Sequence, residues 1–189
     1  MAVDDGTGVP DPRASRVVLA GVPVYEAFEQ LPAVSAGVKA LREALTDRRI
    51  WGIGHAHCTV TAPGAGPGLI LPEIRRSAAA ATDTLLIYFS GHGIVDVHDG
   101  ELYLALRHSL PDHPESALRY EYLRRAVLGS PARNKVVVID CCYSGPATAG
   151  EMSRREEIAD RTSIDGTFLL TSSAGSRVSL SPEGERFTA

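Results

Sequence analysis

Two short apolar runs constrain this chain more than any other feature. Thr84 to Phe89 reads TLLIYF and leads into SGHG, Ser90 to Gly93; Lys135 to Asp140 reads KVVVID and leads into CCYSG, Cys141 to Gly145. Near-continuous β-branched and aromatic runs of this length mark strands buried on both faces, as in parallel sheets. Open parallel sheets collect their chemistry at the C-terminal ends of the strands. The residues between the runs are enough for a crossover, with Leu118 to Leu128 as its helix and Gly129 as its stop. Both runs then deliver their trailing residues to the same edge. The expected class is α/β, helices on both faces of a mostly parallel sheet, with His92 and Cys142 as a candidate reacting pair.

The rest of the chain fits that plan. Residues 1–15, rich in Asp, Gly and Pro, read as a flexible lead-in, and Arg16 to Gly21 as the first strand. VPVYEAFEQLPAV is a loop with its own apolar plug, after which Pro32 starts a helix running to about Thr46. Val34, Val38, Leu41 and Leu45 recur at helical spacing and should lie on the sheet. A second strand is expected around His55 to Val60 and a second helix over Leu71 to Ala81, with Pro72 near its start. The third strand should end at Phe89 with SGHG as a turn, and the fourth at Ile139. GIVDVHDG is an exposed loop, ELYLAL a short rim strand, residues 146–163 a polar connection, and GTFLLTS from Gly166 a further strand.

At 189 residues the chain is long enough for one domain with a substantial core. Its net charge of -4 has no basic block behind it, which argues against a nucleic-acid partner. No apolar run reaches membrane-spanning length and no charged leader precedes one, so no membrane partner and a cytoplasmic location are expected. Three cysteines, two of them adjacent, suit a reducing compartment better than a disulfide scaffold. Cys58 reads as a small buried hydrophobe. Metal binding has little support: no Cys or acid completes a set with His55 and His57, and Asp96, His98 and Asp99 read as a solvated loop. APGAGPG lacks the lysine and hydroxyl residue of a phosphate loop. No metal or cofactor is expected to be needed for chemistry, and a calcium requirement is left open.

The His and Cys point to acyl transfer. A thiolate is a strong nucleophile, and an imidazole beside it can take the thiol proton and later pass one to a leaving amine. Gly91 and Gly93 let the backbone come close to a substrate. The amides of Gly93 and Cys142 are candidate donors to the oxyanion that forms on attack. Asp140 can either position Cys142 or enter a substrate pocket. Only one of two successive strand residues faces the cleft, so Cys141 should be the buried neighbour.

LLIYFSGHG and VVVIDCCYSG resemble the two catalytic motifs of caspase-like cysteine peptidases, the peptidase C14 or caspase and metacaspase superfamily. The nearest pattern is that of bacterial metacaspase-like modules associated with defence systems. The 50 residues between His92 and Cys142 match the separation seen in caspases. The resemblance implies a caspase-hemoglobinase fold, a three-layer α/β/α sandwich, with a large part over about 16–145, a linker over about 146–163 and the opening of a small part over 164–189. It implies His92 as general base, commonly oriented by a backbone carbonyl, and Cys142 as nucleophile. It also implies Ser90 and Asp140 in a pocket for Arg or Lys before the cleaved bond. In the early helix Val34 and Gly37 stand where the family carries a cysteine and an aspartate, so one pocket carboxylate is missing and the basic preference rests on the other. Arg154, Arg155 and Arg161 lie where relatives have a self-cleaved linker. The small part of relatives continues beyond what GTFLLTSSAGSRVSLSPEGERFTA supplies, so the C-terminal region is expected to be truncated.

The expected function is a cysteine endopeptidase acting on protein or peptide substrates through a thioester. Two rivals stand beside it: an inactive or partner-activated module that signals to a regulatory or effector protein, and an ester or amide hydrolase using the same pair on non-peptide substrates.

Overall fold

The computed structural model describes residues 9–96, 98, 100–144 and 168–171, with 142–144 and 169–171 described as backbone. In chain order the elements are β1 (Arg16–Gly21), α1 (Ala33–Thr46), β2 (Cys58–Val60), α2 (Pro67–Ala80), β3 (Thr84–Val95), β4 (Leu102–Leu104), β5 (Leu118–Arg119), α3 (Tyr120–Leu128), β6 (Asn134–Ser144) and β7 (Phe168–Thr171). Among the described residues the strands form one seven-stranded mixed sheet. β2, β1, β3, β6 and β7 pair in parallel in that lateral order, while β4 and β5 are antiparallel. Among the described residues, no helix is long and apolar enough to cross a membrane.

Strand alternation divides the core into two layers. Val17, Leu19 and Tyr88 face α1 and pack with Val34, Val38, Ile53 and Cys58. Val18, Ala20, Leu85, Ile87, Phe89, Val137 and Ile139 face the other way and pack with Ile70, Ile74 and Ala78 of α2 and Leu123 and Val127 of α3. The expected α/β/α sandwich is therefore present. At Gly21 a Cβ would stand 2.6 Å from Val38 Cγ2 and 2.9 Å from Val34 Cγ1. Only the absence of a side chain lets α1 close on the end of β1.

Several element boundaries differ from the sequence expectation. SGHG is not a turn, because β3 runs through it to Val95, and β6 likewise runs past Ile139 to Ser144. Gly and His are weak strand formers, but at this end β3 has β6 on one side and β4 on the other, and that pairing overrides local preference. α2 begins at Pro67, with Pro72 inside it rather than at its start. Pro72 is exposed, so the helix loses one hydrogen bond where water can meet the freed carbonyl. His55 to His57 form a short 3₁₀ turn, leaving only Cys58 to Val60 as strand. Leu118 and Arg119 pair with β4 instead of opening α3.

The described part of the lead-in is docked rather than loose. Trp51 Nε1 donates to Pro10 O at 2.8 Å, Asp11 N donates to Asp83 Oδ2 at 3.0 Å, and Ser15 is buried.

Candidate active site

β3 and β6 run in parallel register from Thr84 opposite Asn134 to Ile94 opposite Ser144. This pairing sets Ser90 against Asp140 and His92 against Cys142. All four positions share the parity of Tyr88, which packs on the α1 side of the sheet. Cys141 has the opposite parity and is buried in the α2/α3 layer, as the sequence leads one to expect.

β3 changes lateral partner within the SGHG segment. β1 flanks it as far as Ser90, and β4 takes over at Gly93. The gap beside Gly91 and His92 is filled by the loop between β1 and α1. His92 N donates to Tyr25 Oη at 2.9 Å, Tyr25 Oη donates to Ala105 O at 3.5 Å, and Ala105 N donates to His92 O at 2.9 Å. Burial pushes the Tyr25 phenol well above its ordinary range, so the hydroxyl stays protonated. A Cβ on Gly91 would overlap Tyr25 Oη. Gly91 thus makes room for this hydroxyl, a different use from the substrate approach expected of it from the sequence.

The His92 ring is held by the same loop. Phe28 stacks on it with centroids 5.4 Å apart and planes at 24°, and Tyr25 lies at 4.8 Å. Its Nε2 is 2.9 Å from Glu29 O. A carbonyl only accepts, so Nε2 carries a proton, and in the neutral ring Nδ1 holds the lone pair. Nδ1 is buried and has no hydrogen-bond partner among the described residues. The resemblance implies a backbone carbonyl at the histidine, and here that carbonyl is Glu29 O; the two rings against His92 leave as their one trace in the sequence an apolar plug with Tyr and Phe three residues apart.

On the same face, Asp140 Oδ2 accepts from Tyr88 Oη at 2.9 Å and Ser90 Oγ at 3.4 Å. Burial raises the Tyr88 phenol, which the Asp140 charge reinforces against the Ser90 hydrogen bond. Tyr88 is a partner of Asp140 that motif reading missed. Val34 and Gly37 are both buried in α1.

The remaining candidates separate from this cluster. His57 Nδ1 lies 3.2 Å from Pro12 O, within the docked N-terminal stretch. Asp96 Oδ1 accepts from His98 N at 2.8 Å. Among the described residues no group of three His, Cys, Asp or Glu is arranged to hold a metal. Gly93 and Cys142 sit on rungs of the β3–β6 ladder, not in an open turn. Arg154, Arg155 and Arg161 lie outside the described residues.

An α/β sandwich whose central parallel strands place a histidine and a cysteine in register has the architecture of a caspase-hemoglobinase domain. Residues 70–186 match the family model for the caspase domain. The match covers more than half of the chain, which therefore belongs to this family and carries a cysteine-peptidase-like domain. No curated protein matches it. The loop bearing Tyr25, Phe28 and Glu29 precedes the matched span.

Proposed function

We propose that the protein is a cysteine endopeptidase in which Cys142 is the nucleophile and His92 the general base. One observation carries this reading: His92, the register partner of Cys142, has its Nε2–H held by a carbonyl and its Nδ1 lone pair uncommitted among the described residues. Nδ1 takes the thiol proton, and the thiolate attacks the peptide carbonyl. The amides of Gly93 and Cys142 donate to the oxyanion once the last rungs between β3 and β6 part; such donors are worth about 3 kcal/mol each. The protonated imidazole then gives its proton to the leaving amine. Water, deprotonated by the same Nδ1, hydrolyses the thioester and frees Cys142.

Asp140, steadied by Tyr88 and Ser90, receives an Arg or Lys before the scissile bond. With Val34 and Gly37 supplying no second carboxylate, the preference for a basic residue is weaker than two acids would give. Within the family we place the chain with metacaspase-like modules. Cys58 and Cys141 are buried and form no disulfide among the described residues, which suits a reducing compartment such as the cytoplasm. Cleavage after Arg154, Arg155 or Arg161 would then be self-processing.

The test is a peptide library with Arg, Lys or Asp before the candidate bond, with and without calcium, beside Cys142→Ala and His92→Ala. Cleavage after Arg or Lys that vanishes in both variants is the expected result. Cleavage after Asp would overturn the Asp140 assignment and spare the reacting pair. If nothing is cut and no thiol probe labels Cys142 in a His92-dependent way, a signalling module takes the place of the peptidase.

A further inference from the structure

We infer that Gln30 is a positioning residue for His92, fixing the imidazole tautomer through the backbone of the loop that contacts it. The consequence for catalysis rests on the peptidase reading above; the tautomer itself does not. Gln30 lies outside both motifs and before the residues matched to the caspase family.

A carbonyl acts as an orienting group only when its own direction is fixed. Glu29 O belongs to a loop with no regular ladder of its own, and a loop carbonyl points wherever its neighbours hold it. Here the neighbours are held by one side chain. Gln30 Oε1 accepts from Tyr25 N at 3.0 Å, while Gln30 Nε2 donates to Tyr25 O at 2.7 Å and Phe28 O at 3.4 Å. The amide thus pairs with both backbone groups of Tyr25 as a strand neighbour would, and it closes the turn from Tyr25 to Gln30 into a ring. Glu29 lies inside that ring, one residue from the amide.

The ring is anchored on two sides. Glu26 N donates to Arg107 O at 3.0 Å, and Leu31 N donates to Pro23 O at 2.9 Å. Tyr25 and Phe28, whose carbonyls Gln30 binds, are also the two rings against His92. One amide therefore sets the carbonyl at Nε2 and the aromatic walls of the imidazole. A carboxylate at position 30 could accept from Tyr25 N but would offer no donor to Tyr25 O or Phe28 O. An apolar side chain of equal length could do neither.

Without Gln30 the Glu29 carbonyl loses its fixed aim, and His92 is free to place its proton on either nitrogen. Protonation at Nδ1 removes the lone pair that the cysteine proton needs. The loss should appear in the chemical step, because the Gln30 amide bonds to the backbone of Tyr25 and Phe28, in the loop that holds the imidazole.

The experiment measures nitrogen–proton correlation spectra of the His92 ring in the full-length chain at about pH 8.5, where an ordinary imidazole is neutral. His92→Gln identifies its signals. The wild type should show one dominant tautomer, protonated at Nε2. Gln30→Met should move both nitrogens towards the averaged positions of a free imidazole, and Gln30→Glu should shift them in the same direction. A folded Gln30→Met with an unchanged wild-type pattern would overturn the inference, and where that variant does not fold, Gln30→Glu decides by the same criterion. On a cleaved peptide, Gln30→Met should lower kcat by about ten- to a hundredfold with KM little changed. A wild type that cleaves nothing and shows no His92-dependent labelling of Cys142 removes the peptidase reading and leaves the spectra to decide the role of Gln30.

Discussion

Ser90 and Asp140 are direct cross-strand partners in the β3–β6 ladder, and Ser90 Oγ donates to Asp140 Oδ2 at 3.4 Å. Tyr88, one side-chain step back on the same face, donates to the same oxygen at 2.9 Å. A carboxylate with two hydroxyl donors is held in place before any substrate arrives. Removing the closer donor should be the more costly change: Tyr88→Phe is expected to destabilise the fold by about 1.5–3 kcal/mol, the scale for a hydrogen bond to a charged group. Ser90→Ala should cost less. Urea denaturation of both variants checks this, and a Tyr88→Phe variant as stable as the wild type would mean that Tyr88 acts only through packing.

Gly91 and Tyr25 Oη compete for one volume. Gly91→Ala should expel the hydroxyl and cost about 1–3 kcal/mol, the usual penalty for overfilling a packed site. Tyr25→Phe leaves His92 N without its acceptor and should cost a similar amount. The double variant should lose clearly less than the sum, since either change alone breaks the same contact. Strict additivity would show that the two residues do not meet.

Native-state alkylation should distinguish the three cysteines. Cys58 and Cys141 are buried, and burial also raises the Cys58 thiol above its ordinary range, which lowers its thiolate fraction. Peptide mapping after brief iodoacetamide treatment should find both unmodified until the protein is denatured, with Cys142 the labelled residue. Modification of Cys141 in the native protein would place it on the cleft side and overturn the face assignment.

Tyr25, Tyr88 and Tyr120 all have phenols raised above the ordinary value near 10, each chiefly by burial. A value higher in the folded state means that folding favours the proton-bound form. The stabilising contribution is thus whole below about pH 10 and is lost as the pH rises through the raised folded values. Stability measured by urea midpoint should be flat into mild alkali and fall above about pH 10. Spectrophotometric titration should show these phenols ionising together with unfolding. Smooth ionisation at the ordinary value in a folded protein would contradict their burial.

β1 and α1 were readable in the sequence because each carries its signal locally, in the apolar run of Arg16 to Gly21 and the helical spacing of Val34, Val38, Leu41 and Leu45. The ends of β3 and β6 were not. Their small and polar residues look like turn material, and the pairing that makes them strand comes from β4 and from each other. The positions of Ser90, His92, Asp140 and Cys142 were legible for a related reason: side-chain chemistry at strand ends leaves a motif. Glu29 left none, since its part is played by a main-chain oxygen that any residue could supply. The docking of Pro10 to Ser15 was hidden by a composition typical of loose termini.

The adjacent cysteines raise a question that the long β3–β6 pairing answers. Sliding β6 by one residue would turn every side chain to the opposite face, exchanging the places of Cys141 and Cys142. A chain paired in that way would still set a cysteine opposite His92, so the cysteines themselves cannot choose between the two arrangements. Asp140 can: the slip would drive its carboxylate into the layer that holds Ile87, Phe89 and Ile139, away from Tyr88 and Ser90. An unpaired charge buried there costs several kcal/mol. The acid held by Tyr88 and Ser90 therefore also acts as the ruler of the sheet, deciding which of two neighbouring cysteines stands opposite His92.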